Sequence, residues 1–383
     1  MLITGSNKAK YQQFVEHIRS QIDSGELKTG DRLPSHQALI KEYGLGQATI
    51  DRFYKLLEKD GYIECIRRRG VFVTPPEKRK SEAAGSLMNR SVLVVADGPA
   101  VRLERHKQTG WLEYLALGAI SELRMTSRNV MSLNSANISE SDMEYWMQHP
   151  PAGVVMINDL TKSSAMLEAA ARFKSVAIPV VLYGDEPEWR GFDRVISDHD
   201  RGNYELTKWL LERGCRRILP LRKGGFYHSW LRMRDRGYER AVTEAGIAPL
   251  SPCVHPDYWN SNLSRELFDI AVDIVAKSLA DYIAENGEID AIMAITDGDI
   301  NVRAAACRML GMEPNRDVLF VGYDHYWEDV EERAFEKTAP LATVDKRNLE
   351  IGAQLVQLLN DRIAGRVDEA PQCRKVAPQL LTF

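Results

Sequence analysis

Cysteine is scarce and scattered in this 383-residue chain: Cys65, Cys215, Cys253, Cys307 and Cys373 form no CxxC pair. That pattern argues against a disulfide framework or a zinc site and suits a reducing compartment. Long apolar runs are missing too, and no stretch approaches the ~18 consecutive apolar residues of a membrane span. The opening MLITGSNKAKYQQFVEHIRS lacks the basic head, apolar middle and small-residue cleavage site of a secretory signal. A cytoplasmic protein with no membrane partner is therefore expected. Enzyme signatures are equally absent: there is no GxSxG elbow, no HExxH, no GxxxxGKS/T and no GxGxxG after a first strand. No catalytic residue, metal or cofactor is expected.

What is present is the composition of a globular protein, 44% hydrophobic and 27% charged, at a length that calls for two or three folded units. Charge is unevenly placed. Residues 1–80 hold 15 Lys+Arg against 10 Asp+Glu, a net of +5, and the whole chain is −4, which leaves −9 for the remainder. A basic head on an acidic body points to nucleic acid at the head only.

From Tyr11 to Ser24, Phe14, Val15, Ile18 and Ile22 recur at helical spacing, and Gly25 marks the stop. Residues 27–33 (LKTGDRL) read as an extended piece and a turn. Pro34-Ser35 opens a second helix through Leu39, Ile40 and Tyr43, which Gly44 ends. A third runs from Gln47 to Asp60, with Ile50, Phe53, Tyr54 and Leu57 inward, and Gly61 ends it. Tyr62–Ile66 and Val71–Val73 follow as short strands around Arg67-Arg68-Arg69-Gly70. Three helices and a hairpin in this order make a winged helix-turn-helix.

The stretches Gly25-Glu26-Leu27, Gly30-Asp31-Arg32-Leu33-Pro34-Ser35, Ala38-Leu39, Thr49-Ile50, Leu57-Glu58, Gly61-Tyr62-Ile63 and Arg69-Gly70-Val71-Phe72-Val73 resemble the GntR family in order and spacing. The resemblance implies double-stranded operator DNA as a partner. The helix from Gln47 would enter the major groove with its N-terminal side chains at base edges. Ser35, His36, Gln47, Thr49, Arg52 and Lys55 are the candidate contacts there. Arg67, Arg68 and Arg69 at the hairpin tip can reach phosphates or a narrow minor groove, with Gly70 allowing close backbone approach. The chain also departs from the family: Gly46-Gln47 replaces Ser-Arg, Asp51 stands where arginine is common, and His36-Gln37 replaces Glu-Arg. An acid at position 51 repels phosphate or accepts a hydrogen bond from cytosine, so the family's usual operator does not carry over.

Residues 74–90 (TPPEKRKSEAAGSLMNR) have no apolar period and read as a tether. The expected organisation is a DNA-binding domain at 1–75, a linker at 76–90 and a second domain at 91–383. In that second domain, apolar runs at Val92–Ala96, Val130–Leu133, Gly153–Ile157, Val180–Tyr183, Val195–Ser197, Arg217–Leu221, Ala291–Ile295 and Leu319–Tyr323 alternate with helical stretches. The helices include Trp111–Arg124, Ser139–His149, Tyr204–Arg213, Arg234–Ala245, Leu263–Ala284, Ile300–Leu310 and Leu349–Ile363. The fold class is α/β: parallel sheets flanked by helices, long enough for two lobes with a cleft at the strand ends.

This half resembles the LacI/GalR regulators and the periplasmic sugar-binding proteins. The resemblance is carried by Ala152–Ile157, Pro179-Val180-Val181, Val195–Asp198 with Gly202, Leu210–Ile218, Arg234–Tyr238, Thr296-Asp297, Val321–Asp324, Pro340–Val344 and Gly352. A GntR head on a LacI-type body is the arrangement of arabinose-responsive repressors. The resemblance makes Arg234 the effector arginine, a planar fork that can clamp two hydroxyls or a carboxylate. It makes Asp297 and Asp324 the acids that accept hydroxyl protons. Asp198 is a further candidate, with helix capping as its alternative role. Trp230, Trp259, Trp111 and Tyr183 can stack on the C–H face of a sugar ring, with core packing as theirs. His199 and His228 complete the candidates. Trp230 stands where relatives carry a small polar residue, so the ligand can differ from theirs.

A homodimer paired through helices like Trp111–Arg124 and Ile300–Leu310 is implied, with a small-molecule effector, a sugar, controlling operator affinity and repression as the usual outcome. A sugar-binding module without DNA, or a DNA-binding protein with a vestigial cleft, are the alternatives.

Overall fold

The computed structural model describes residues 10–23, 25–43, 46–66, 69–75, 87–96, 111–126, 128–157, 163–225, 228–257 and 264–383. It divides into two compact units, Met1–Leu87 and Met88–Phe383.

In the first unit α1 (Lys10–Asp23), α2 (His36–Tyr43) and α3 (Gln47–Lys59) precede an antiparallel hairpin of β1 (Ile63–Ile66) and β2 (Gly70–Val73). The apolar stripe of α1 (Phe14, Val15, Ile18, Ile22) meets Ile50, Phe53, Tyr54 and Leu57 of α3 in a single core closed by Leu33, Leu39, Val71 and Val73. Each such side chain contributes about 1.5–3 kcal/mol when fully buried. The extended piece before α2 pairs with the hairpin: the Gly30 N–H donates to the Val73 carbonyl and the Leu33 N–H to that of Val71. Gly25 and Gly61 take positive φ where the helices stop, as their positions imply; Gly44 lies outside the described residues.

The second unit is built on two six-stranded sheets. In the first lobe, β3 (Ser91–Ala96), β4 (Asn129–Asn134), β5 (Gly153–Ile157), β6 (Val180–Tyr183), β7 (Asp193–Ser197) and β13 (Cys373–Val376) lie in the order β13-β7-β6-β5-β3-β4, all parallel. One face is covered by α4 (Trp111–Arg124) and α11 (Asn348–Ile363), the other by α5 (Glu140–Gln148) and α6 (Ser163–Ser175). In the second lobe, β8 (Ile218–Lys223), β9 (Cys253–His255), β10 (Ala291–Ala294), β11 (Leu319–Tyr323), β12 (Ala342–Asp345) and β14 (Gln379–Thr382) lie in the order β14-β12-β11-β10-β8-β9. Only β14 runs antiparallel to its neighbour. This sheet is wrapped by α7 (His199–Glu212) and α8 (Ser229–Glu244) on one face, and by α9 (Arg265–Asn286) and α10 (Ile300–Met309) on the other.

Among the described residues the chain passes between the lobes three times: after β7, after β12 and after β13. The passages adjoin, because Ser197 pairs with Val376 and Asp345 pairs with Gln379. All three leave the carboxyl end of a strand, where a two-lobed α/β protein offers its cleft.

Several elements differ from their expected form. α6, β9, β12, β13 and β14 were not among the expected elements, and β13 and β14 are short and largely uncovered. α7 begins at His199 rather than at Tyr204, because its first turn is polar and shows no apolar period, and α8 begins at Ser229 rather than at Arg234, with Leu231 and Met233 already buried in the added turn. Met88, in the stretch read as linker, is buried in the first lobe's core, while residues 76–86 lie outside those described.

Glycine sets the closest helix approach. A Cβ on Gly352 would stand 2.1 Å from the Leu115 carbonyl oxygen, and one on Gly118 2.2 Å from that of Leu349, so α4 and α11 touch backbone to backbone. Gly352→Ala is expected to destabilise by about 1–3 kcal/mol, read as a lower urea midpoint. Gly191→Ala, where nothing lies within 4 Å, should stay within about 0.5 kcal/mol of the parent. Equal midpoints for the two variants would mean that the helices part without strain.

Candidate functional site

A cavity of about 200 Å³ opens at the carboxyl ends of the strands of both lobes, beside the first turns of α7 and α8. Its organising group is Arg234, one turn into α8 and only 5% exposed. The guanidinium lies between two rings, 3.4 Å from the centroid of Tyr323 and 4.6 Å from that of Trp230. It donates to the Ile295 carbonyl and, through Nε, to His199 Nδ1 at 3.3 Å. Nη2 stands 3.7 Å from Asp324 Oδ1. A buried cation needs this enclosure of π-faces, acceptors and a counter-charge.

The Arg234–His199 bond settles the tautomer: Nδ1 accepts, so the imidazole is neutral with its proton on Nε2. Burial, then the charges of Arg234 and Lys346, hold the His199 pKa well below its ordinary value. Asp324 sits directly after β11 at φ 89°, a conformation disfavoured for a residue with a side chain, and Lys346 Nζ approaches its carboxylate at 2.9 Å. Lys346 is itself covered by the Trp111 ring at 4.3 Å, and burial lowers its pKa. Trp111 and Tyr183 pack at 5.5 Å as part of the aromatic wall. On the far side Glu186, from the first lobe, accepts from the Ser229 N–H at 3.0 Å and hydroxyl at 2.9 Å, at the start of α8 in the second. His228 stacks on Trp230 and lies 3.6 Å from Glu186.

Of the residues chosen from sequence, Arg234, Asp324, Trp230, Trp111, Tyr183, His199 and His228 all line this cavity. Two others are corrected. Asp297 is fully buried away from it: Oδ1 accepts from the Thr343 hydroxyl at 2.8 Å and Oδ2 from the Tyr326 N–H at 3.1 Å, and burial raises its pKa to about 8. It ties the end of β10 to β11 and β12, under Gly322, where a Cβ would stand 1.9 Å from Oδ1. Asp198 takes its alternative role and caps α7, accepting from the Arg201 N–H at 3.2 Å. Trp259 lies outside the described residues. Sequence reasoning missed Glu186, Lys223, Asp299 and Lys346 in the lining. Lys346 was findable: it follows β12 as Asp324 follows β11, but that strand had not been marked.

In the first unit α3 follows Gly46, which offers no side-chain cap, and exposes Gln47, Arg52 and Lys55; Thr49 is half-buried. Gln47 Nε2 donates to Asp51 Oδ1 at 3.1 Å, so the unusual acid is braced by the other unusual residue of this turn. The Ser35 hydroxyl accepts from the Ala38 N–H at 3.2 Å and starts α2, which makes it a structural cap. The His36 side chain, Arg67 and Arg68 lie outside the described residues; Arg69 is exposed. Gly70 is demanded by the hairpin itself: its φ is 119°, and a Cβ there would stand 2.7 Å from Arg32 Nε. Arg32 is thereby an exposed cation beside the wing that sequence reasoning passed over.

Comparison with known proteins agrees with both units. Residues 10–73 match the bacterial regulatory proteins of the gntR family, and residues 207–382 match the periplasmic binding protein-like domain. The arabinose metabolism transcriptional repressor of Geobacillus stearothermophilus is 22% identical over 363 residues, covering 93% of this chain and 92% of that protein. The uncharacterized HTH-type transcriptional regulator YdcR of Escherichia coli (strain K12) is 42% identical over 66 residues, only 17% of this chain and 14% of that protein. Among solved structures, a transcriptional regulator CelR–cellobiose complex superimposes with a TM-score of 0.56 at 18% identity, covering 91% of this chain and 99% of that one, and shares its fold.

The neutral imidazole has a consequence for stability. His199 binds protons less readily folded than unfolded, so its contribution is full above an unfolded pKa of about 6.5 and is lost as pH falls below it. Urea midpoints from pH 7.5 to 5 should therefore decline, and His199→Asn, which keeps an acceptor toward Arg234, should flatten the decline. An unchanged slope in the variant would place the proton uptake elsewhere.

Proposed function

We propose that this chain, which joins a gntR-family DNA-binding domain to a periplasmic-binding-protein-like domain, is a transcription regulator whose operator affinity is set by a polyhydroxylated small molecule. The observation that carries the reading is the caged Arg234. A fork of N–H donors at the strand ends, with Asp324 as acceptor and Trp111, Tyr183 and Trp230 as flat walls, suits a ring that is polar at its edge and apolar on its face. The Geobacillus relative is named for arabinose metabolism and the CelR structure holds cellobiose, which favours a sugar. The cavity binds and does not catalyse.

The regulator acts as a cytoplasmic repressor; among the described residues no helix is long and apolar enough to cross a membrane. α3 reads the major groove, and Arg52, Lys55, Arg69 and Arg32 are its cationic contacts. It works as a homodimer. Support comes from the apolar residues left exposed on adjoining helices of the first lobe, Tyr114 and Leu117 on α4 and Leu349 on α11. Closure of the cleft turns the lobes about the three passages, and the effector couples to operator affinity by about 1–3 kcal/mol.

A thermal-shift screen of the full chain against pentoses, hexoses and sugar acids should identify the effector. The hit should then change the affinity for the cognate operator by about 5–150-fold. A hit that leaves operator binding untouched would overturn the regulatory reading. Lys55→Ala should weaken binding to all DNA sequences alike and lower the salt slope by about one. Leu117→Glu should turn the dimer into a monomer in sedimentation; an intact dimer would move the interface off α4.

A further inference from the structure

Two cations converge on one acid where the lobes join. Lys346 Nζ lies 2.9 Å and Arg234 Nη2 3.7 Å from the same oxygen of Asp324, and the three side chains are only 4%, 6% and 7% exposed. The other acids of the lining are engaged elsewhere. Asp299 is shared by Arg303 at 2.8 Å and the lining's Lys223 at 3.6 Å, Asp185 holds Arg194 at 3.0 Å, and Glu186 caps α8 through Ser229. Two further acids lie close by. Asp297 is fully buried with its oxygens accepting from Thr343 and the Tyr326 N–H, and Asp345, next to Lys346, is 30% exposed to solvent. Arg234 and Lys346 thus share a single carboxylate, and the ammonium is left short of counter-charge. Ser197 Oγ, fully buried in the lining, makes no hydrogen bond among the described residues.

An uncompensated charge in a dry cavity is unfavourable, and a bound monoanion removes the imbalance. A carboxylate brings one charge and two coplanar oxygens, which match the guanidinium fork with the ammonium beside it. A phosphate ester would bring between 1.5 and 2 charges, roughly, and overshoot. Burial lowers the Lys346 pKa, and an anion beside the ammonium would raise it again.

We propose that the effector is an acidic sugar, an aldonate or uronate, and that Lys346 is the specificity residue that, with Arg234, receives its carboxylate. This rests on the reading of the cavity as a polyol sensor.

The test is calorimetric titration of the full chain with matched pairs: D-galactose and D-galacturonate, D-glucose with D-glucuronate and D-gluconate, L-arabinose and L-arabinonate. In at least one pair the acid should bind about tenfold or more tightly than its neutral partner. Lys346→Met should lose about tenfold of the acid's affinity while changing a neutral sugar's by less than about threefold, and Lys346→Arg should keep the preference. A neutral sugar that binds as well as its acid, or a Lys346→Met variant with undiminished acid affinity, overturns this inference and leaves the polyol sensor standing. Silence from both members of every pair overturns the sensor reading, and this inference falls with it.

Discussion

A buried guanidinium is the constraint on which the second unit is organised. Removing Arg234 from water is tolerable only because Tyr323 and Trp230 face it on two sides and because the Ile295 carbonyl, His199 and Asp324 surround its edge. Those partners come from four separate segments, so the cation can be satisfied only when α7, α8 and the ends of β10 and β11 are all in register. Gly237 makes that register possible. A Cβ there would stand 2.1 Å from the Asp200 carbonyl oxygen, so α8 rests directly on α7 and Arg234, one turn earlier, meets His199 at the start of α7.

The same site is where the lobes join. Lys346 lies on the passage after β12, His199 just beyond the passage after β7, and Glu186 reaches from the first lobe to the start of α8 in the second. A ligand bound here would touch both lobes and the segments between them, which is the geometry that lets binding energy become a domain rotation. The first unit shows a different economy. Its core is built from the three helices and the hairpin with little polar content, and Arg32, Arg52, Lys55 and Arg69 are left on the surface, where salt and DNA phosphates compete for them.

Much of this was legible because it depends on local periodicity. The stripe Phe14–Ile22, the run Ile50–Leu57 and the wholly apolar strands Val92–Ala96 and Gly153–Ile157 report burial through spacing alone. Elements without such spacing stayed hidden: the polar first turn of α7, and the short, half-covered β13 and β14. Arg234 and Asp324, which line the cavity, were picked out by a resemblance anchored by neighbouring glycines. Asp297 was chosen by the same logic and failed. A residue just past a strand can point into the cleft or back under the sheet, and Thr343 and the Tyr326 N–H draw this one inward.

By itself the sequence determined the two-part architecture, the winged-helix order of the head, the parallel α/β class of the body and the arginine at its centre. All of these rest on spacing, composition and motif order, which are properties of neighbours in the chain. Only the tertiary structure decided which acids face the cavity, which serve as caps or ties, and that Lys346 and Arg234 share one carboxylate. Those are facts of side-chain direction and of charge balance between residues as far apart as Arg234 and Lys346, 112 positions along the chain, and chain order does not encode them.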